Sequence, residues 1–133
     1  FESGGLAAAH AIHNGLTAAP QTHGLTHGQK VNIGSLAQLV LEGAPTEEIR
    51  DFIIFTTKVG LPNTLTEIGL KTTDVEDLQR VAELSVVEGE TIHNMPFPVT
   101  AADVVDALRS IEGYSRQVRA EAGLPEPVFY TAH

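Results

Sequence analysis

The sequence predicts an all-α fold in which five helices form one bundle, and three observations support this prediction. Apolar residues recur at helical spacing in five segments, and each segment is bounded by capping residues, glycine or proline. No segment alternates apolar and polar residues as a half-buried strand does. The chain has 133 residues, of which 42% are hydrophobic, so its apolar surface is sufficient for one core.

The first helix is expected over residues 5–18, which are rich in Ala and Leu, with Ser3 as its cap. It carries His10 and His13, which share a face because residues three apart on a helix are neighbours. Pro20 ends the helix, and a polar loop follows. Any chemistry of this helix is therefore expected on the face with the two histidines.

The second helix is predicted over residues 29–42, starting beside His27 and ending at Gly43. Its apolar positions leave only a narrow polar strip, which predicts a mostly buried helix. These positions are Val31, Ile33, Leu36, Leu39, Val40 and Leu41.

A third helix is expected to follow Pro45 and to run to about Val59, before residues 60–62 end it. Glu47 and Glu48 in its first turn suit the positive end of the helix dipole, and this is the favoured interpretation of the pair. Its core-facing side is predicted to be Ile49, Phe52, Ile53 and Val59. A short turn is expected over residues 65–70.

The fourth helix is predicted to open with a capping box between Thr73 and Glu76, and its nearby acids are also interpreted as helix-start residues. Its core positions are predicted to be Val75, Leu78, Val81, Ala82 and Val86. After a loop over residues 88–96, Thr100 is expected to cap a fifth helix over residues 101–122. The fifth helix is predicted to bury Val104, Ala107, Leu108, Ile111 and Val118.

The charge balance excludes several function classes. A net charge of −9 with only eight Lys and Arg argues against binding nucleic acid, and it would repel anionic membranes. No signal peptide and no apolar run of about 20 residues is recognisable. A cytoplasmic protein with a small neutral substrate is therefore expected, and the start at Phe1 suggests a fragment of something larger.

The absence of cysteine directs attention to the six histidines, because a metal would need His, Asp or Glu as ligands. If His10 and His27 converge across an antiparallel helix pair, they supply two metal ligands, and a third must come from elsewhere. The alternative is that His10 is a core histidine with satisfied hydrogen bonds and His27 a loop residue. Spacing alone leaves both interpretations open.

Two stretches carry a resemblance to a known family, FESGGLAAAHAIHNGL at positions 1–16 and HGQKV at positions 27–31. They resemble the signature of glycerol dehydrogenases, which belong to the iron-containing, or group III, alcohol dehydrogenase superfamily. Residues 39–42, 60–62 and 88–96 also resemble family segments, so the similarity extends to about Arg119. The resemblance implies the helical C-terminal domain of the dehydroquinate synthase-like fold of this superfamily.

The resemblance also implies site residues. One Asp and two His hold a zinc ion in that family, and the matching histidines here are His10 and His27. The Asp has no counterpart in this chain and is expected near the end of an N-terminal α/β domain that binds NAD. The metal site of residues 1–133, for zinc or alternatively iron, would therefore be incomplete. Phe1 is implied as an aromatic wall of the substrate pocket.

The remaining histidines receive weaker assignments. His13 is expected either beside the nicotinamide or zinc, as a relay group, or simply on a helix surface facing a domain cleft. His93 is expected in a structural loop, whereas His23 and His133 are expected to be exposed. No Gly-x-Gly-x-x-Gly motif follows a strand, so NAD-binding residues are not assigned in this chain.

The implied activity is NAD-dependent oxidation of glycerol, or a similar small polyol, to dihydroxyacetone. Zinc would polarise the hydroxyl and hydride would pass to NAD, with His10 and His27 as positioning groups and not nucleophiles. Similar enzymes form homo-oligomers. Two alternatives remain: an inactive helical interaction or oligomerisation module on this scaffold, and a dehydroquinate synthase. The latter is disfavoured because its anionic substrate requires more basic residues than Lys30 near the histidines.

Overall fold

The computed structural model describes residues 7–87 and 97–128, and these contain five α-helices and no strand. The all-α prediction is therefore confirmed for the described residues. The helices are α1 (Ala7–Thr17), α2 (His27–Leu41), α3 (Thr46–Lys58), α4 (Val75–Ser85) and α5 (Ala101–Ala122). Two 3-10 turns, Pro20–Thr22 and Thr66–Ile68, interrupt the connections after α1 and α3. The predicted loop over residues 88–96 lies outside the described residues.

Side-chain caps begin two of the helices. Thr100 forms a capping box with Asp103 at the start of α5, so the predicted cap is confirmed. A second capping box, between Thr26 and Gln29, starts α2 two residues earlier than predicted and places His27 inside the helix. The predicted capping box at α4 is wrong, because Asp74 is the N-cap there and makes no side-chain cap bond.

Helix α1 lies between α2 and α4, and two glycines permit the close approach. A Cβ atom on Gly34 of α2 would lie 2.5 Å from the Ala9 carbonyl oxygen. A Cβ atom on Gly15 of α1 would lie 2.4 Å from the Val81 carbonyl oxygen of α4. Helix α5 packs against α2, α3 and α4. Helices α2 and α4 therefore each contact both α1 and α5.

Burial follows the predicted pattern in α5 and departs from it elsewhere. All five predicted core positions of α5 are buried. Val59 and Val75 were predicted to face the core but are 53% and 64% exposed. Both lie at helix termini, Val59 as the C-cap of α3 and Val75 as the first residue of α4. In α2 the predicted polar strip is itself buried, at Lys30, Asn32 and Gln38.

Buried polar residues tie the turn after α3 to α5. Glu67 accepts hydrogen bonds from the backbone N–H groups of Asn63 (2.8 Å) and Thr64 (3.2 Å). Arg119 of α5 forms an ion pair with Glu67 at 2.8 Å and donates to the Asn63 side-chain oxygen. Ser115 donates to the Asn63 carbonyl oxygen. This buried network holds the 63–67 segment against the bundle.

None of the described helices is both long and apolar enough to cross a membrane.

Candidate metal centre

Helix α1 presents its two histidines away from the core. Its buried side is made of small and branched apolar residues, among them Ala8, Ala11, Ile12 and Leu16. His10 lies on the opposite side and is exposed, whereas His13 is half-buried. The predicted common face of the two histidines is therefore present, because three residues along a helix return close to the same direction.

His27 is positioned by the capping box that begins α2. The Thr26 hydroxyl accepts the Gln29 backbone N–H at 3.1 Å, and the Gln29 side chain accepts the Thr26 backbone N–H at 2.8 Å. His27 is the residue after the cap and is exposed. A fixed helix start therefore carries this imidazole, although the sequence analysis had placed it in the preceding loop.

His13 and His27 touch across the antiparallel pair of α1 and α2. Their ring centroids lie 4.2 Å apart with an interplanar angle of 66°, which is an edge-to-face contact. His13 Nδ1 also lies 3.2 Å from the Asn14 side-chain oxygen and donates to it. His13, which the sequence analysis left with two open roles, thus directly neighbours His27.

The pKa of His13 is lowered by burial and by nearby basic groups. Burial lowers the pKa of His13, the hydrogen bond to Asn14 raises it, and the positive charges of His27, Lys30 and His10 lower it further. His13 contacts His27 and follows His10 by about one turn of α1. We call these three residues, His10, His13 and His27, the histidine cluster.

The donor set of the histidine cluster fits part of a metal site. Imidazole nitrogens suit zinc and iron(II), and His10 and His27 are both exposed. The described residues contain no group of three or more His, Asp or Glu side chains that could hold a metal ion. A complete site of the kind that zinc requires would therefore need a further ligand from outside residues 7–87 and 97–128.

The other sequence candidates do not join the cluster. His23 caps the 3-10 turn after α1 and is exposed, as predicted. Phe1, His93 and His133 lie outside the described residues. A cleft of about 370 Å³ is present elsewhere, between the end of α2, residues 97–99 and the first turns of α5, and none of the histidines lines it.

Proteins of known sequence and structure are similar to most of this chain. The chain is 54% identical over 116 residues to a glycerol dehydrogenase of Thermotoga maritima, covering 87% of this chain and 32% of the relative. It superposes on the crystal structure of glycerol dehydrogenase from Schizosaccharomyces pombe with a TM-score of 0.88 and 37% identity, covering 94% of this chain and 32% of that one. The chain belongs to the glycerol dehydrogenase family.

Within the family the chain matches the C-terminal helical domain, as the sequence resemblance implied. It spans about a third of the length of the curated relatives that it matches. Another relative, named glycolaldehyde reductase, comes from Halobacterium salinarum and is 55% identical over 119 residues, covering 90% of this chain and 33% of the relative. No protein-family model matches the chain.

Proposed function

We propose that this chain is the metal-binding C-terminal part of an NAD-dependent glycerol dehydrogenase, which oxidises glycerol to dihydroxyacetone. The observation that carries the proposal is the histidine cluster, in which His10 precedes His13 by about one turn of α1 and His27 of α2 contacts His13. The chain is 54% identical to a glycerol dehydrogenase, and its exposed His10 and His27 lie on adjacent helices. Two ligands of one metal ion have to come from neighbouring parts of the fold.

In this proposal His10 and His27 hold a zinc ion, or alternatively iron. The third ligand is an Asp in the part of the protein that precedes the N-terminal end of this chain. When bound, the metal supplies positive charge that lowers the pKa of a substrate hydroxyl. His10 and His27 fix the position of that charge, and Phe1 forms a wall of the substrate pocket. None of these residues acts as a nucleophile.

The rest of the proposed enzyme lies outside residues 1–133. An N-terminal α/β domain would bind NAD, which would accept the hydride from the substrate, since the described residues form no strand that could begin a dinucleotide-binding motif. The exposed side of the histidine cluster would then face that domain, with glycerol between the two. The whole protein is proposed to be a homo-oligomer.

A second candidate substrate is a small carbonyl compound such as glycolaldehyde. The observation that favours it is the 55% identity to a protein named glycolaldehyde reductase. Both reactions interconvert a small alcohol and a carbonyl, so the same metal and the same two histidines would serve either. The relative kcat/KM for glycerol oxidation and for glycolaldehyde reduction would decide between them.

The test is substitution of the ligands in the full-length protein. His10→Ala and His27→Ala are each expected to remove bound zinc, measured by elemental analysis, and to abolish NAD reduction with glycerol, because a three-ligand site does not survive loss of one imidazole. His23→Ala is the matched control, since His23 is an exposed histidine outside the cluster, and it is expected to change neither quantity.

Zinc retention and normal turnover in the His10→Ala protein would overturn the site assignment. Wild-type protein that neither binds zinc nor reduces NAD would instead favour the inactive helical module.

A further inference from the structure

Helix α2 contacts both the backbone N–H group and the backbone carbonyl group of Ala9, the residue before His10. The side-chain oxygen of Gln38 on α2 accepts the Ala9 backbone N–H at 3.0 Å, and Gln38 is only 2% exposed. Ala9 lies in the first turn of α1, where backbone N–H groups have no partner within their own helix. Gln38 therefore satisfies a buried donor that would otherwise be unpaired.

The carbonyl group of Ala9 packs against Gly34, which like Gln38 is on α2. A Cβ atom at Gly34 would lie 2.5 Å from the Ala9 oxygen and 3.0 Å from the Ala9 Cα atom, so the two backbones are in direct contact. A second hydrogen bond keeps the Gln38 amide in place, since its nitrogen donates to Glu42 at 3.3 Å. The oxygen of Gln38 is thereby left facing α1.

These contacts fix where α1 lies along α2. A shift of α1 by one residue, about 1.5 Å, would stretch the Gln38 hydrogen bond and bring a different backbone group onto Gly34. His10 follows Ala9 directly, and His27 is the first residue of α2. The separation of the two imidazoles therefore depends on the register of α1 against α2.

We infer that Gln38 is a positioning residue for the metal site, which acts by holding the Ala9 backbone and so setting His10 relative to His27. This inference rests on the proposed function, because it requires that His10 and His27 bind a common metal ion. Gln38 itself touches neither the metal nor a substrate. Its effect is carried by α1, and metal binding depends steeply on ligand placement.

The experiment measures zinc affinity, by competition with a chelator, in the full-length protein and four variants. Gln38→Met keeps the length of the side chain and removes its oxygen, whereas Gln38→Glu combined with Glu42→Gln keeps an oxygen in reach of Ala9 and reverses the direction of the hydrogen bond between positions 38 and 42. Gln117→Met is the matched control, because Gln117 also donates to a glutamate four residues on but is exposed and lies on α5. His10→Ala reports whether His10 binds the metal at all.

Gln38→Met is expected to weaken zinc binding about 10- to 100-fold, the range found for groups that orient metal ligands. Gln38→Glu combined with Glu42→Gln is expected to retain most of the affinity, and Gln117→Met to leave it unchanged. The melting temperature of each metal-free variant is recorded beside the affinity. If Gln38→Met does not fold, Gly34→Ala takes its place, since the added methyl group displaces the same Ala9 carbonyl.

Three results would overturn the inference, and they are distinguishable. If His10→Ala loses zinc while Gln38→Met binds it as tightly as the wild type, Gln38 has no positioning role although the proposed function stands. If His10→Ala retains zinc, the metal site is elsewhere, and both the proposed function and the inference fail. If Gln38→Met loses affinity and Gln38→Glu combined with Glu42→Gln loses it equally, Gln38 acts through packing and not through its hydrogen bond to Ala9.

Discussion

At the scale of residues, the structure contains two buried acidic residues, Glu67 and Glu112, that the sequence analysis did not predict. The sequence analysis interpreted acids as residues of helix starts, and Glu47, Glu48 and Glu76 do lie in first turns. Glu67 and Glu112 are instead buried, and each is held by partners distant in the chain. Glu112 accepts the Leu65 backbone N–H at 2.7 Å. No local pattern reveals such partners, because a bundle brings together residues about 50 positions apart.

The buried ion pair of Glu67 and Arg119 leads to a prediction about stability. Their side chains are 4% and 5% exposed, so removing Arg119 leaves a carboxylate with little access to water. Arg119→Met is expected to lower the free energy of unfolding by about 3–5 kcal/mol, the cost of an uncompensated buried charge. Urea unfolding followed by circular dichroism measures the change.

Arg109→Met is the control for that prediction, because Arg109 is an exposed residue on the same helix. Its effect is expected to stay within about 0.5 kcal/mol. If Arg119→Met and Arg109→Met unfold at the same urea concentration, the ion pair of Glu67 and Arg119 contributes nothing to the free energy of unfolding. The double substitution Glu67→Gln and Arg119→Met should recover part of the loss, since it removes both charges while an amide oxygen still accepts the Asn63 and Thr64 N–H groups.

At the scale of elements, close helix contacts determine how the histidines are presented. Residues 5–18 contain the small residues that close packing needs. Which glycine touches which helix was decided by the fold: Gly34 meets α1, and Gly15 meets α4. The start of α2 was missed although its signal, Thr26 followed three residues later by Gln29, was present in the sequence.

Gly15 and Gly113 form a matched pair for testing the packing of α1. A methyl group at Gly15 would lie 2.4 Å from the Val81 oxygen and 2.6 Å from the Ser85 hydroxyl, whereas a methyl group at Gly113 meets nothing within 4 Å. Gly15→Ala is expected to destabilise the protein by about 1–3 kcal/mol through overpacking. Gly113→Ala is expected to stabilise it by about 0.5–1 kcal/mol, because alanine favours a helix interior.

Thermal unfolding of the two variants checks this pair of predictions. Opposite shifts of the melting temperature are expected. A rise or no change for Gly15→Ala would show that α1 and α4 are less closely packed than their backbones indicate.

At the scale of the whole molecule, the chain supplies a scaffold and part of a proposed metal site. The described residues contain no group of three or more His, Asp or Glu side chains that could hold a metal ion. The curated relatives that it matches are about three times longer. Under the proposed function, metal binding and turnover belong to the longer protein and not to the helical domain alone.

Comparison of residues 1–133 with the full-length protein tests this division. The shorter chain is expected to bind zinc weakly and to show no NAD reduction with glycerol, because two imidazoles leave the ion without its third protein ligand. The longer protein is expected to hold one zinc ion per chain and to be active. Zinc titration and an assay of NADH formation measure both. Equally tight binding by the shorter chain would contradict the proposed origin of the third ligand.

The sequence by itself determined the number of helices, most of their bounds and the core face of α5, because helical periodicity and capping residues are local signals. It also pointed to His10 and His27 through a family resemblance. Only the tertiary structure decided that Val59 and Val75 are exposed, that Gln38 is buried against Ala9 and that His13 contacts His27. The reason is physical: burial and contact at these positions depend on which helix lies opposite, and that neighbour is distant in the chain.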